Sequence, residues 1–280
     1  MTTTALSGSA LPPVTSLLDL TDKTALVTGA AQGFGFAIAR RLAEAGARVI
    51  VTDVNADRAA DAASRLTAEF GRPTDSERLD ISDETEVKAV FAKFMDVDFL
   101  VNNAGVFSNF TIENLAAEEF DRIQRVNVRG VFLCSKEFAR TMGDRTAGKV
   151  IVNIASVDAL GPSCPGQVHY TSSKHAVAGL TKGFSVELAP KGVRVCSICP
   201  GAALTEGAVA LITGGTPDGI DIAAQWDGIA ARTPSRRLIT VDDVALGVLF
   251  LVSPMAAGIT GTLIPVDGGI TSQPWEGYVE

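Results

Sequence analysis

The chain has 280 residues, 46% of them hydrophobic, and a formal net charge of −8. That length suits one large α/β domain or two small ones and can bury a well-packed core. Interspersed charges with an acidic balance argue against nucleic acid or a membrane surface as partner, and no apolar run is long enough to span a bilayer.

Residues 1–19 lack a basic start and a continuous apolar stretch. They read as a flexible N-terminal extension rather than a signal peptide, and the expected location is the cytoplasm. Strand-like and helix-like segments then alternate. TALVTGA (24–30) is a β-branched run ending in glycine, and FAIARRLAEAG (36–46) has helical spacing. ARVIVTDV (47–54) is strand-like, a helix follows, and SERLDIS (76–82) is the third strand. After a helix over 83–94 come two buried-type strands, 98–105 and 149–156, separated by a long helical stretch. A helix over 170–190, a strand over 192–201, the helix VDDVALGVLFLVS and the strand GTLIPVDGG complete the series.

Nearly continuous apolar strands between helices predict a parallel sheet covered on both faces. Right-handed crossovers make it an α/β, doubly wound Rossmann-type sheet. Residues 20–280 read as a single domain. The one long irregular stretch, about 203–236, is expected to be a substrate loop.

The first strand runs into TGAAQGFG, with Gly29, Gly33 and Gly35 spaced G-xxx-G-x-G. This is not GxGxxG, yet a strand, a glycine turn and a helix start are the right setting for a dinucleotide pyrophosphate. The second strand ends at Asp53, where an acid can accept from a ribose diol and repel a 2′-phosphate. No Arg or Lys occupies 29–35 or 54–57, so NAD is expected over NADP.

HYTSSKH (169–175) holds both histidines of the chain. They lie six residues apart, about 240° around a helix, and no further histidine is present for a metal. Both read as helix-start and packing residues, and no metal site is expected. Tyr170 and Lys174 share one helix face, and a nearby ammonium lowers a phenol pKa, which suits proton exchange with an alcohol or carbonyl. Ser156 ends a strand at the sheet edge where ligands bind. Asn127 is a polar residue in a helical apolar setting, disfavoured there and so in need of a reason. Cys196 and Cys199 form a CxxC within a strand, where residues three apart face opposite sides. They read as core.

These motifs resemble the short-chain dehydrogenase/reductase family over about residues 20–270. The matching pieces are TGAAQGFG, Asp80, NNAG (102–105), Asn127, Ser156, YTSSK (170–174), PGAALT (200–205) and VDGG (266–269). The resemblance implies a seven-stranded parallel sheet and a homotetramer or homodimer. It implies that Tyr170 is the proton donor and acceptor, that Lys174 lowers its pKa and binds the nicotinamide ribose, and that Ser156 orients the substrate oxygen. Asn127 would help hold a water linking Lys174 to solvent. Around the cofactor it implies Gly29, Gln32, Gly33, Phe34 and Gly35 at the pyrophosphate turn, and Asp53 at the adenosine ribose. Asp80 and Ile81 would meet the adenine, with Asn103, Ala104 and Gly105 flanking the adenosine side. Pro200, Gly201, Ala203 and Thr205 would bracket the nicotinamide.

The sequence departs from the family pattern in two places. Ser156 and Tyr170 are 14 residues apart, one more than usual, and Ala203 replaces a β-branched residue. Beside Ser156, the expected substrate contacts are Asp158, Leu160, Cys164, Gln167 and parts of 203–234. No Arg or Lys falls in 156–168 or 202–231, which disfavours a strongly anionic substrate. The function implied is an NAD-dependent oxidoreductase interconverting a small-molecule secondary alcohol and a ketone. An NADP-linked carbonyl reductase and a non-catalytic dinucleotide-binding protein are the alternatives.

Overall fold

The structure is a computed structural model, and it describes residues 12–143, 148–213 and 222–273. Seven strands form one sheet: β1 (Thr24–Thr28), β2 (Arg48–Asp53), β3 (Asp75–Arg78), β4 (Phe99–Asn102), β5 (Val150–Ile154), β6 (Arg194–Pro200) and β7 (Leu263–Val266). Every pairing is parallel. The order is β3-β2-β1-β4-β5-β6-β7. The doubly wound Rossmann sheet expected from the alternation is therefore present, with its order reversing between β1 and β4, where such sheets open a crevice at their carboxyl edge.

Alternation along each strand explains why helices cover both faces. Ala25, Val27, Val49, Val51 and Phe99 pack with α1 (Gly33–Glu44), α2 (Ala56–Phe70) and α9 (Val241–Val252). The intervening Leu26, Ile50 and Leu100 pack on the other side against α3 (Glu84–Lys93), α5 (Val131–Thr141) and the end of α6 (Val168–Leu188). Each wholly buried Leu, Ile or Phe contributes roughly 1.5–3 kcal/mol over an exposed one. Cys196 and Cys199 fall in different clusters on opposite sides of β6.

Local chemistry sets the helix starts. The Asn55 side chain caps α2, accepting from the Arg58 N–H, and Asp83 caps α3. Thr240 and Asp243 cap each other's backbone at α9. Arg41 of α1 then grips Asp242 of α9 through two 2.6 Å contacts.

Three segments differ from expectation. The third strand stops at Arg78, so Asp80 and Ile81 lie in the turn beyond it. The long helical stretch is broken into α4 (Ala117–Gln124), a π-turn over Arg125–Gly130 and α5. The supposed irregular stretch 203–236 contains two helices, α7 (Glu206–Thr213) and α8 (Ile222–Arg232). Its glycines and threonines suggested a loop, but the Ala-rich runs within it are good helix formers, and buried Trp226 anchors α8. Residues 1–11 and the tail with Trp275 and Tyr278 lie outside the described residues.

Candidate active site

The glycine turn after β1 is built from three glycines with different tasks. Gly29 has φ +62°, and a Cβ there would lie 2.8 Å from the Ala104 Cα. Gly33 has φ +56°, with nothing nearer than 3.6 Å to an added Cβ. Its demand is on the backbone alone. Gly35 is a packing glycine: an added Cβ would sit 2.2 Å from the Gly29 carbonyl oxygen. Gly29, Gln32, Gly33 and Phe34 line a cavity of about 830 Å³, whereas Gly35 is turned away from it. Helix α1 begins here with no side-chain cap, so its first N–H groups and positive dipole end are open to an anion.

The ends of β1 and β4 are stapled beside this turn. The Asn103 side chain donates to the Thr28 and Gly29 carbonyls, both at 2.9 Å. The Thr28 hydroxyl accepts from the Asn103 and Ala104 amides, both at 3.0 Å. This holds Asn103, Ala104 and Gly105 along the cavity wall. Asp53 reaches the same wall from β2, accepting from Asn55 N–H at 3.0 Å and Ala31 N–H at 3.4 Å. Asp80 and Ile81 close that end. A long trough with a glycine cradle at one side and an acid beyond it fits a dinucleotide.

Six predicted residues converge at the other end. Ser156, Tyr170 and Lys174 line the cavity together with Pro200, Gly201 and Thr205. Ser156 and Lys174 are 7% and 6% exposed. The Lys174 ammonium donates to the Ile154 carbonyl at 3.1 Å and lies 5.4 Å from the Tyr170 ring centroid. The expected lowering of the Tyr170 pKa is not what these surroundings produce. Burial pushes the phenol above its ordinary value and the negative charge of Asp158 adds to that, outweighing the opposing effect of Ser156. Burial also pushes Lys174 down to about 8, so the pair loses part of the charge on which the expected effect depends.

Asn127 sits in the π-turn, a feature common at functional sites. Its amide oxygen accepts from Val106 N–H and its amide nitrogen donates to Val106 C=O, both at 2.8 Å. The same nitrogen donates to the Ser173 hydroxyl at 3.1 Å. Asn127 lies behind the cavity wall. A Cβ on Gly105 would be 3.3 Å from its oxygen and 3.7 Å from the Lys174 Nζ, so both side chains border that glycine.

The expected substrate residues are placed differently. Ser156 lines the cavity, and so do Thr205, Glu206 and Gly207 from the expected 203–234 stretch, but Asp158, Leu160, Cys164 and Gln167 do not. Asp158 is buried behind Ser156, Gln167 is buried, and Leu160 and Cys164 are exposed on the loop. Ala203 is buried and bridges Ile239 rather than facing the cavity. The cavity wall beside Tyr170 instead includes Phe107, which meets the Tyr170 ring edge-on at 5.9 Å.

Three cations missed in the sequence also line the cavity: Arg58, Arg122 and Arg125. Arg58 contacts the Gln32 side chain at 3.3 Å, and Arg122 is paired with Glu119 at 2.7 Å. The expectation against a strongly anionic substrate counted only residues 156–168 and 202–231, while these arginines arrive from α2, α4 and the π-turn.

His169 is buried and hydrogen-bonded to the Ser108 hydroxyl at 2.9 Å. Ser108 in turn donates to Glu119 at 2.5 Å. His175 is exposed and contacts the Thr171 carbonyl. Neither histidine lines the cavity.

A family model described as Enoyl-(Acyl carrier protein) reductase matches residues 29–271. The chain belongs to the short-chain dehydrogenase/reductase family. This short-chain dehydrogenase/reductase is 35% identical over 257 residues to the 2-(R)-hydroxypropyl-CoM dehydrogenase of Xanthobacter autotrophicus, covering 89% of this chain and 99% of that protein. A solved short-chain type dehydrogenase/reductase from Mycobacterium marinum is 33% identical, with TM-score 0.83, over 93% of this chain and 100% of that one. The crystal structure of a gluconate 5-dehydrogenase from Burkholderia cenocepacia, in complex with NADP and tartrate, is also 33% identical. Its TM-score is 0.84, over 92% of this chain and 99% of that one. The chain is accordingly an enzyme of oxidoreductase type, and no helix among its described residues is long and apolar enough to cross a membrane.

Proposed function

We propose that this chain interconverts a secondary alcohol and a ketone with NAD as cofactor, using Tyr170 as general acid and base. The observation that carries the reading is one continuous trough. It runs from the Gly29–Phe34 cradle and Asp53 to Ser156, Tyr170 and Lys174. A nicotinamide dinucleotide, when bound, supplies hydride exchange with the substrate carbon. Gly29, Gly33 and the start of α1 hold its pyrophosphate. Asp53 takes the adenosine ribose, and Asp80 and Ile81 take the adenine.

At the chemical end Tyr170 gives its proton to a ketone oxygen or takes one from an alcohol. Ser156 fixes the substrate oxygen beside it, and Phe107 walls the apolar side. Lys174 holds the nicotinamide ribose and, with Asn127 behind Gly105, connects the site to a proton supply. The relative whose name includes 2-(R)-hydroxypropyl is named for a secondary alcohol, which agrees with this reading.

Arg58 favours one second reading. It lines the same cavity as Asp53 and its guanidinium bonds the Gln32 side chain at 3.3 Å, where it would receive a 2′-phosphate, and the gluconate 5-dehydrogenase neighbour was solved with NADP. An NADP-linked carbonyl reductase would use the same chemical end. A screen of cyclic, aromatic and polyol secondary alcohols, read by absorbance of reduced nicotinamide with NAD⁺ and NADP⁺ in parallel, tests both. Reduction of NAD⁺ by at least one alcohol supports the first reading. Turnover with NADP⁺ alone supports the second.

We read the enzyme as a homo-oligomer as well. The support is the exposed apolar surface at Phe120, Phe132 and Val186, and light scattering tests it.

A further inference from the structure

The loop between β4 and α4 is tied down on both sides of Phe107. Asn127 holds Val106, accepting from its N–H and donating to its C=O, both at 2.8 Å. The Ser108 hydroxyl contacts buried His169 at 2.9 Å and donates to Glu119 at 2.5 Å. The Phe110 N–H donates to the Gly166 carbonyl at 2.9 Å, which docks the loop on the segment before α6. With its neighbours fixed on each side, the Phe107 ring is a firm wall rather than a yielding one.

That ring joins two walls of the cavity. It meets the Tyr170 ring edge-on, with centroids 5.9 Å apart. Its Cε1 and Cζ would each lie 3.5 Å from a Cβ added to Gly207, at the start of α7. Phe107, Gly207 and Tyr170 all line the cavity. A carbon–carbon separation of about 3.5–4 Å is ordinary contact. Bare Gly207 therefore leaves room against the ring for one methyl-sized group and no more.

We propose that Phe107 and Gly207 form a methyl-sized slot beside Tyr170, so that the favoured substrates are methyl carbinols and methyl ketones whose larger substituent lies along the rest of the cavity. The inference rests on the reading of Tyr170 as the general acid and base, and deepens it by fixing the size of one substituent. Phe107 is the specificity-determining residue, and Gly207 sets the depth of the slot by having no side chain. An ethyl group in the slot meets the ring, and a hydrogen leaves the slot empty. One methylene more or less in an apolar pocket changes kcat/KM by roughly tenfold or more.

The probes are benzyl alcohol, hexanol and the fastest alcohol of the screen, each compared with hydrogen, methyl or ethyl on the carbinol carbon. In the native enzyme methyl is expected to exceed ethyl in kcat/KM by at least about tenfold. Phe107→Ala, with native circular dichroism, is expected to bring the two within about threefold, because the removed ring makes room. Gly207→Ala puts a methyl into the slot without a clash, so it is the variant that decides if Phe107→Ala does not fold. It is expected to lower the methyl carbinols by at least about tenfold while the primary alcohols stay within about threefold. Equal rates for methyl and ethyl in the native enzyme would overturn the proposal. So would an unchanged preference in folded Phe107→Ala, or an equal loss for methyl carbinols and primary alcohols in Gly207→Ala. Absence of turnover with every probe would overturn the reading of Tyr170 and the proposal with it, whereas turnover without a size preference would overturn the proposal alone.

Discussion

The Lys174 ammonium stands 5.4 Å from the centroid of the Tyr170 ring, yet its hydrogen bond goes to the Ile154 carbonyl. One helical turn separates the two residues, and both border the same cavity. The buried ammonium gains one carbonyl in exchange for water, and the nearby charge of Asp158 offsets only part of the cost of burial. Its tendency to lose the proton follows from that.

Lys174 gives a stability prediction with a definite sign. Its proton is held less tightly in the fold, at about 8, than at its ordinary value of 10.5. Between those values the unfolded chain carries more protons, so stability rises with pH. Below about 8 the penalty of the buried charge is fully present. Urea midpoints of the native chain, measured against Lys174→Met, are expected to converge as pH rises from about 8 to about 10. A gap that widens over that range would show that the ammonium is stabilised by the fold.

The cradle glycines are expected to separate packing from conformation. Gly35→Ala drives a Cβ to 2.2 Å from the Gly29 oxygen and 2.5 Å from the Asn103 amide, and overpacking of this kind costs roughly 1–3 kcal/mol. Gly33→Ala meets no such contact and carries only the left-handed backbone strain, about 1–2 kcal/mol. Thermal melts are expected to fall further for Gly35→Ala. NADH titration by fluorescence is expected to weaken in Gly33→Ala, because that residue lines the cavity.

Asp53 and Arg58 pull cofactor choice in opposite directions. NAD⁺ is expected to give the higher kcat/KM, and Asp53→Ala to narrow the gap by removing a carboxylate that repels a 2′-phosphate. Arg58→Ala is expected to widen it, by roughly three- to thirtyfold for one exposed charge-assisted hydrogen bond. Parallel kinetics with both cofactors check the pair.

What was legible in the sequence is what is local. Alternating apolar strands and helices gave the sheet because burial on both faces leaves a periodic trace. Tyr170 and Lys174 were legible because i and i+4 share a helix face. The directions of buried side chains were not. Asp158 has the spacing of a substrate contact but turns inward, because Ser163 and Thr171 offer it donors there. Arg58, Arg122 and Arg125 reach the cavity from α2, α4 and the π-turn, and only folding shows their convergence with Ser156. Gly33 and Gly35 look alike in the sequence, yet one lines the cavity and the other packs beneath it. His169 read as a packing residue, and its bond to Ser108 is how it packs.

The account centres on Tyr170 as the group that moves the proton while the cofactor is held independently. The direct measurement pairs turnover with cofactor binding in Tyr170→Phe, using the alcohol that the native enzyme oxidises fastest. The phenylalanine variant is expected to lose at least about 10²-fold in kcat, the usual worth of a general acid–base group, while NADH affinity stays within about threefold. Turnover within tenfold of the native enzyme, with NADH still bound, would contradict the assignment.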